Sequence, residues 1–169
     1  MDSRGLRIMI LILGIDPGQH GGYCLMSLDG NKKSVKAFNK LTLPEISKDI
    51  GDLKNCASLL GDRVIAYIEE VHSMPNNGKV QAFSFGKNYG FWIGILIAHG
   101  IEIRETLPAK WQSALKLRVR GLEYGEKKKA LKEIAQKRFP ELNLTLDTCD
   151  AALIAEYGRR CLLYEIHNP

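Results

Sequence analysis

Acidic residues recur in this chain at the ends of apolar segments. Asp16 closes the run LILGID and is followed at once by Pro17 and Gly18, Glu69 and Glu70 close the run RVIAYIEE, and Asp147 and Asp150 stand three residues apart in LDTCDAALIA. Taken singly, each has an undemanding explanation. Asp16 can open an Asx turn into Pro-Gly, or it can be held at a sheet edge to bind a metal ion or a phosphate. Asp147 and Asp150 can be acids of a helix's first turn, where the macrodipole favours anions, and their spacing on a helix would put both on one face. Taken together they say more. Three or four carboxylates gathered at one edge of a sheet repel each other and need cations, and Mg²⁺, a hard ion that prefers oxygen, fits such a cluster. Two such ions, about 3.5 to 4 Å apart, activate a water and stabilise the leaving oxygen of a phosphodiester.

For that meeting to occur, the elements carrying the acids must lie side by side. Ile8 to Ile15 is a nearly continuous apolar run, suited to a strand buried on both faces. YCLMSL followed by Asp29-Gly30 reads as a second strand with a hairpin turn, and Ser34 to Leu43 as a third. Pro44 opens a segment with Ile46, Ile50, Leu53, Ala57 and Leu60 at helical spacing, closed by Gly61. RVIAYIEEV is the fourth strand, HSMPNNGK a polar loop, and Val80 to His99 a buried helix with Gly86, Gly90 and Gly94 along one side. Ile101 to Thr106 is a short strand, followed by a basic connection, a helix over Glu126 to Arg138 and a last helix from about Thr145 to Leu163. The order predicts an α/β domain with a mixed five-stranded sheet, its first three strands antiparallel and helices packed over it.

At 169 residues, with 45% hydrophobic and 25% charged residues, the chain suits a single globular domain over 1–169, with residues 1–7 as a flexible tail. Ile8 to Ile15 is too short to span a bilayer, and Arg4 and Arg7 precede it without a small-residue cleavage site, so no export signal or membrane partner is expected. The four cysteines are widely separated with no C-x-x-C pair, which suggests neither a zinc site nor a disulfide framework. Charge is unevenly spread. Between Arg104 and Arg138 eleven Lys and Arg face four Glu, a local +7 within a total of +5, so the remainder is about −2. Such a partition suits a phosphate-binding footprint, although a lysine-rich helix can also be only a solvated face.

GIDPG, YIEEV and DTCDAALIA, in this order and at these separations, resemble the RuvC-like Holliday junction resolvases, a branch of the RNase H-like nucleases, over roughly Ile8 to Leu163. The short length and the tryptophan of LPAKW are more similar to the phage-type members. The resemblance implies an RNase H-like fold with helices on both faces of the sheet. It also implies a crossover junction endodeoxyribonuclease that cuts four-way DNA by paired nicks, leaving 5′-phosphate and 3′-hydroxyl ends. On this resemblance Asp16, Glu69, Asp147 and Asp150 are the catalytic and metal-binding acids for Mg²⁺ or Mn²⁺, two ions per site, and Lys127 of GEKK supports cleavage. Candidate DNA contacts are His72, Lys79, Lys110, Lys116, Arg118, Arg120, Lys128 and Lys132. Gln112 stands where relatives often carry a lysine, which leaves Lys110 or Lys116 as its substitute. The implied location is the cytoplasm, that of the host if the chain is phage-encoded.

Resolvases pair as homodimers, and two opposed nicks need two active sites. The apolar helix carrying Phe83, Phe91, Trp92 and Leu96, with its glycine row, is the expected interface. Two other classes remain to be weighed. A branched-nucleic-acid binding module that does not cut would explain the +7 segment and leave the acids unexplained. An actin-like ATPase also uses a GID-type loop, but 169 residues are too few for its paired domains.

Overall fold

The run ILILGID forms the central strand of a mixed sheet, and the reason lies in its alternation. In the computed structural model, which describes residues 8–70, 78–117, 119 and 121–168, strand β1 spans Ile10–Asp16. Ile12 packs into one hydrophobic cluster, while Leu13 and Ile15 pack into another on the opposite face. A strand buried on both sides must be apolar at every position, as this one is until Asp16.

The remaining elements follow in the order β2 (Gly22–Ser27), β3 (Lys33–Ala37), α1 (Leu43–Leu59), β4 (Arg63–Glu69), α2 (Lys79–Ala98), β5 (Glu102–Thr106), α3 (Pro108–Ala114), α4 (Tyr124–Arg138) and α5 (Cys149–His167). The sheet order is β3-β2-β1-β4-β5. β1, β2 and β3 pair antiparallel, with Ile12 opposite Met26 and Cys24 opposite Val35, whereas β4 and β5 run parallel to β1. This is the α/β arrangement expected from the sequence. Helices α3, α4 and α5 supply one core with Trp111, Leu131, Ala135, Leu153 and Ile154. On the other face, α1 and α2 supply Ile46, Ile50, Trp92 and Leu96.

Two glycines permit contacts that no other residue would. At Gly14, mid-strand, a Cβ would stand 2.8 Å from Ala155 Cα and closer still to Ala151 O and Ala155 N, so the backbone of α5 lies directly on β1. At Gly21 a Cβ would collide with the Asp16 and Gly18 carbonyls. The Gly21 N–H donates to Gly18 O at 3.0 Å, closing the turn that returns the chain into β2.

Several boundaries differ from the sequence reading. The third strand ends at Ala37 rather than Leu43, because Thr42 caps α1: its hydroxyl accepts from Glu45 N–H while the Glu45 carboxylate accepts from Thr42 N–H, with Pro44 in the first turn. The basic connection contains α3, which begins with Pro108 at its first position. Helix α5 starts at Cys149 and runs to His167, so Asp147 precedes it and does not share a helical face with Asp150. The tail expected at residues 1–7 lies outside the described residues.

The Gly14 contact gives a direct prediction. Gly14→Ala should destabilise the fold by about 3 kcal/mol, since its methyl group meets backbone rather than a movable side chain. Gly125→Ala, on α4 with nothing within 4 Å of the added methyl, should be neutral or gain up to about 1 kcal/mol. Urea unfolding of both variants measures the contrast, and equal effects would contradict this account of α5 packing.

Candidate active site

Strand parity decides which acids can meet. Ile12, Gly14 and Asp16 alternate onto the α5 side of β1, and Ile65, Tyr67 and Glu69 do the same on the parallel strand β4, because Ile12 pairs with Ile65 and Gly14 with Tyr67. Asp16 and Glu69 therefore stand at the carboxyl ends of adjacent strands, on the face that α5 covers. Glu70 points the other way, where its charge acts on the Tyr89 hydroxyl.

Asp16, 6% exposed, divides its carboxylate between two tasks. Oδ1 accepts from Gly18 N–H at 3.0 Å, the Asx turn anticipated from Asp-Pro-Gly, while Oδ2 faces the Lys128 ammonium at 3.5 Å. Burial raises the Asp16 carboxyl above its usual range; Lys128 opposes this and the Asp150 charge adds to it. The Asx-turn reading of the motif therefore holds, with the second oxygen turned toward Lys128.

Glu69 is partly buried, and its Oε1 accepts from the Trp111 indole N–H at 3.0 Å. Burial, followed by the Asp16 charge, pushes its carboxyl from 4.5 up to about 8, against the Trp111 bond and more distantly Lys128. Trp111 is fully buried on α3, an element the sequence reading had as connection. Its signal was Pro108 three residues earlier, a helix opener that puts position 111 one turn in.

Asp150, 6% exposed, lies in the first turn of α5, one residue before Ala151, whose carbonyl borders Gly14. Its Oδ2 takes a short charged bond from Lys128, and its Oδ1 faces the Cys149 thiol at 3.5 Å. The two carboxylates hold the Lys128 ammonium above its usual value despite the cost of burying it. Lys128 thus links Asp16 to Asp150. It lies three and seven residues before the buried Leu131 and Ala135, and Lys127 four and eight before them, so both fall near the inward stripe of α4 while Lys129 is exposed. Its contacts with Asp16 and Asp150, not its spacing, distinguish Lys128 from Lys127, the lysine the family resemblance singled out.

Asp147 stands apart from this trio. Its Oδ2 accepts from the Asn39 side-chain amide at 2.8 Å, in the turn ahead of α5, with its backbone carbonyl against Gly22. Among the basic candidates, Lys79, Lys110 and Lys116 are exposed, and Lys127 and Lys132 are partly so. His72, Arg118 and Arg120 lie outside the described residues. One cation of the +7 segment serves the fold: Arg104 bridges Glu102, Glu165 and the Tyr67 hydroxyl.

No family model and no curated protein matches the chain. Solved structures do. A structure of Thermus thermophilus RuvC in complex with a Holliday junction substrate superposes with a TM-score of 0.54 at 14% identity, covering 90% of this chain and 96% of that one. A second Thermus thermophilus RuvC structure gives 0.51 at 15% identity, covering 89% and 96%. The chain has the RuvC fold.

Within the RuvC fold the donor chemistry here can be tested against a divalent ion. As placed, no three of the described His, Cys, Asp and Glu side chains are gathered tightly enough to hold one ion. The donor set nevertheless fits: two hard carboxylates, Asp16 and Asp150, share one ammonium, a third, Glu69, receives only an indole, and burial together with their mutual repulsion drives Asp16 and Glu69 toward protonation. A divalent cation relieves that excess.

Glu69 yields a pH prediction whose sign follows from its shift. A folded-state value near 8 against 4.5 means that the native chain keeps a proton the unfolded chain has lost. The stability tied to that proton is complete below about pH 4.5 and is lost as pH rises through 8. Glu69→Gln, which keeps an acceptor for Trp111, should stabilise the metal-free chain by about 2 kcal/mol at pH 9 and by little at pH 5. Melting temperatures in chelator at the two pH values measure it, and an equal gain at both contradicts the assignment.

Proposed function

We propose that this chain is a metal-dependent, structure-selective endonuclease that resolves four-way DNA junctions by paired nicks, leaving 5′-phosphate and 3′-hydroxyl ends. The observation that carries the reading is that Asp16 and Asp150 converge on the Lys128 ammonium with Glu69 near enough for their charges to act on it. The RuvC fold, found in a protein bound to a Holliday junction substrate, supports it. A module that only binds DNA has no use for buried acids crowded together at one sheet edge.

In this reading Asp16, Glu69 and Asp150 hold Mg²⁺ or Mn²⁺, and Asp147 is the fourth carboxylate, available if it leaves Asn39. The chemistry such ions supply is activation of a water and stabilisation of the leaving oxygen. The remaining work belongs to the chain. Trp111 and Gly18 fix one oxygen each of Glu69 and Asp16, leaving the other oxygens facing the site. Lys128 neutralises Asp16 and Asp150, and once a cation takes over that task its ammonium is free for a phosphate oxygen of the strand being cut. Lys128 rather than Lys127 is thus the lysine proposed to support cleavage. Lys79, Lys110, Lys116, Lys127 and Lys132, with His72, Arg118 and Arg120, are proposed to hold the phosphates of the arms.

Two nicks require two sites, and the second copy is proposed to dock on α2. Trp92 and Leu96, expected at that interface, are buried in the chain's own core, and Phe91 packs beside them. Of the expected interface α2 leaves open Phe83 and the glycine row, Gly86, Gly90 and Gly94, with Val80 and Ile97 on the same stripe. Val80 and Phe83 are 85% and 75% exposed, and a methyl added at any of the three glycines would meet nothing. An exposed apolar stripe with a glycine floor admits close approach of another helix. Phe83→Lys should shift the chain from dimer to monomer in sedimentation and uncouple the two nicks; a wild type that sediments as a monomer contradicts the dimer.

Cleavage of a synthetic four-way junction beside linear duplex, with and without Mg²⁺, tests the reaction itself. Asp16→Asn, Glu69→Gln and Asp150→Asn should each lose at least a hundredfold in cleavage while keeping junction binding, and Lys128→Met should lose more than Lys127→Met. Absence of Mg²⁺-dependent nicking by the wild type, with junction binding intact, would turn the reading to a non-cutting branched-DNA binder.

A further inference from the structure

Trp111 is buried to 0% exposure, yet its one polar atom is spent on an active-site acid: the indole N–H donates to Glu69 Oε1 at 3.0 Å. An interior Trp needs some acceptor, and an ordinary carbonyl would serve. Here the acceptor is the carboxylate at the end of β4, and no backbone N–H or Lys128 bond to Glu69 is found among the described residues. Asp16, by contrast, is steadied by Gly18 and Lys128, and Asp150 by Lys128. A glutamate has more side-chain torsions than an aspartate, so it has the most orientational freedom to lose. Its supporting donor is also the most rigid available.

The rigidity comes from α3. Pro108 sets its first turn, Trp111 N–H donates to Leu107 O and Leu115 N–H to Trp111 O, and the indole packs in the cluster with Leu115, Val119 and Leu131. Indole is also a particular kind of donor. It is neutral and has no lone pair to offer, so it neither cancels the charge that would attract a cation nor competes as a ligand. A lysine there would do the first, and a histidine the second.

We propose that Trp111 is a positioning residue: its indole N–H pins Oε1 of Glu69 so that the other carboxylate oxygen is presented toward Asp16 and Asp150 for a divalent cation. The inference rests on the metal-dependent reading above. It assigns to α3 a role in metal affinity, beyond its packing in the core.

Two measurements test it. The first needs no metal and no activity: in a ¹⁵N-labelled Trp92→Phe background, where Trp111 is the sole tryptophan, the indole N–H resonance should move in Glu69→Gln. It should also shift saturably as Mg²⁺ is added to the Glu69 form. In the second, Trp111→Phe keeps the ring and removes the donor. It should bind Mn²⁺, read directly by electron paramagnetic resonance, roughly tenfold more weakly. Its half-saturating Mg²⁺ for cleavage should rise in step, while junction binding in Ca²⁺ and the rate at saturating Mg²⁺ change little. A merely structural role would lower the melting temperature and leave the metal constant alone. An unchanged Mn²⁺ constant in a folded Trp111→Phe, or, where that variant fails to fold, an indole resonance blind to both Glu69→Gln and Mg²⁺, overturns the proposal. A wild type that binds no Mn²⁺ and cuts no junction instead overturns the reading of the site as a nuclease.

Discussion

The backbone of α5 lies on the backbone of β1 at Gly14, and the candidate site exists because of that contact. With a side chain at position 14 the helix would have to move outward, and Asp150, one residue before the Ala151 carbonyl that borders Gly14, would move away from Asp16 with it. The small residues on the facing side of the helix, Ala151 and Ala155, make the same approach possible from above. Packing of this kind leaves little room for compromise, since interiors are close-packed and backbone atoms do not yield as side chains do.

Proximity then creates an electrostatic problem. Asp16 and Asp150 share one ammonium, Glu69 receives only a neutral indole, and burial strips water from the carboxylates. The metal-free protein holds this arrangement with Lys128 as an internal counter-ion and with Glu69 driven toward its neutral form. Charge left unbalanced in a folded interior is a cost that a protein carries when the group serves something other than stability. What these carboxylates contribute to the fold therefore does not explain them, and that supports the binding role proposed for them.

The two faces of the sheet divide the labour. On one, α3, α4 and α5 each send a side chain to the site: Trp111, Lys128 and Asp150. On the other, α1 and α2 complete a core without reaching the acids, and α2 turns its glycine-lined stripe outward. An assembly through α2 would leave the opposite face clear for nucleic acid.

The apolar runs, their lengths and their alternation placed four of the five strands to within a few residues, because burial on both faces of a central strand demands a particular pattern regardless of context. The same runs made Asp16 and Glu69 legible, since an acid ending such a run is out of character for packing alone. The third strand ran too long because the Thr42 cap with Glu45 was not weighed against the β-type residues before it. The D-x-x-D spacing suggested one helical face, and the helix begins too late for that. Which lysine reaches the acids, and that a tryptophan on an unforeseen short helix holds Glu69, depended on how α3 and α4 seat against the sheet. Sequence by itself determined the class of fold and which residue types could serve a site, because hydrophobic periodicity and residue identity are local properties. Tertiary structure alone decided the membership of the site, because Asp16, Glu69, Trp111, Lys128 and Asp150 lie on five separate elements whose meeting is fixed by packing over long stretches of chain and by no local signal.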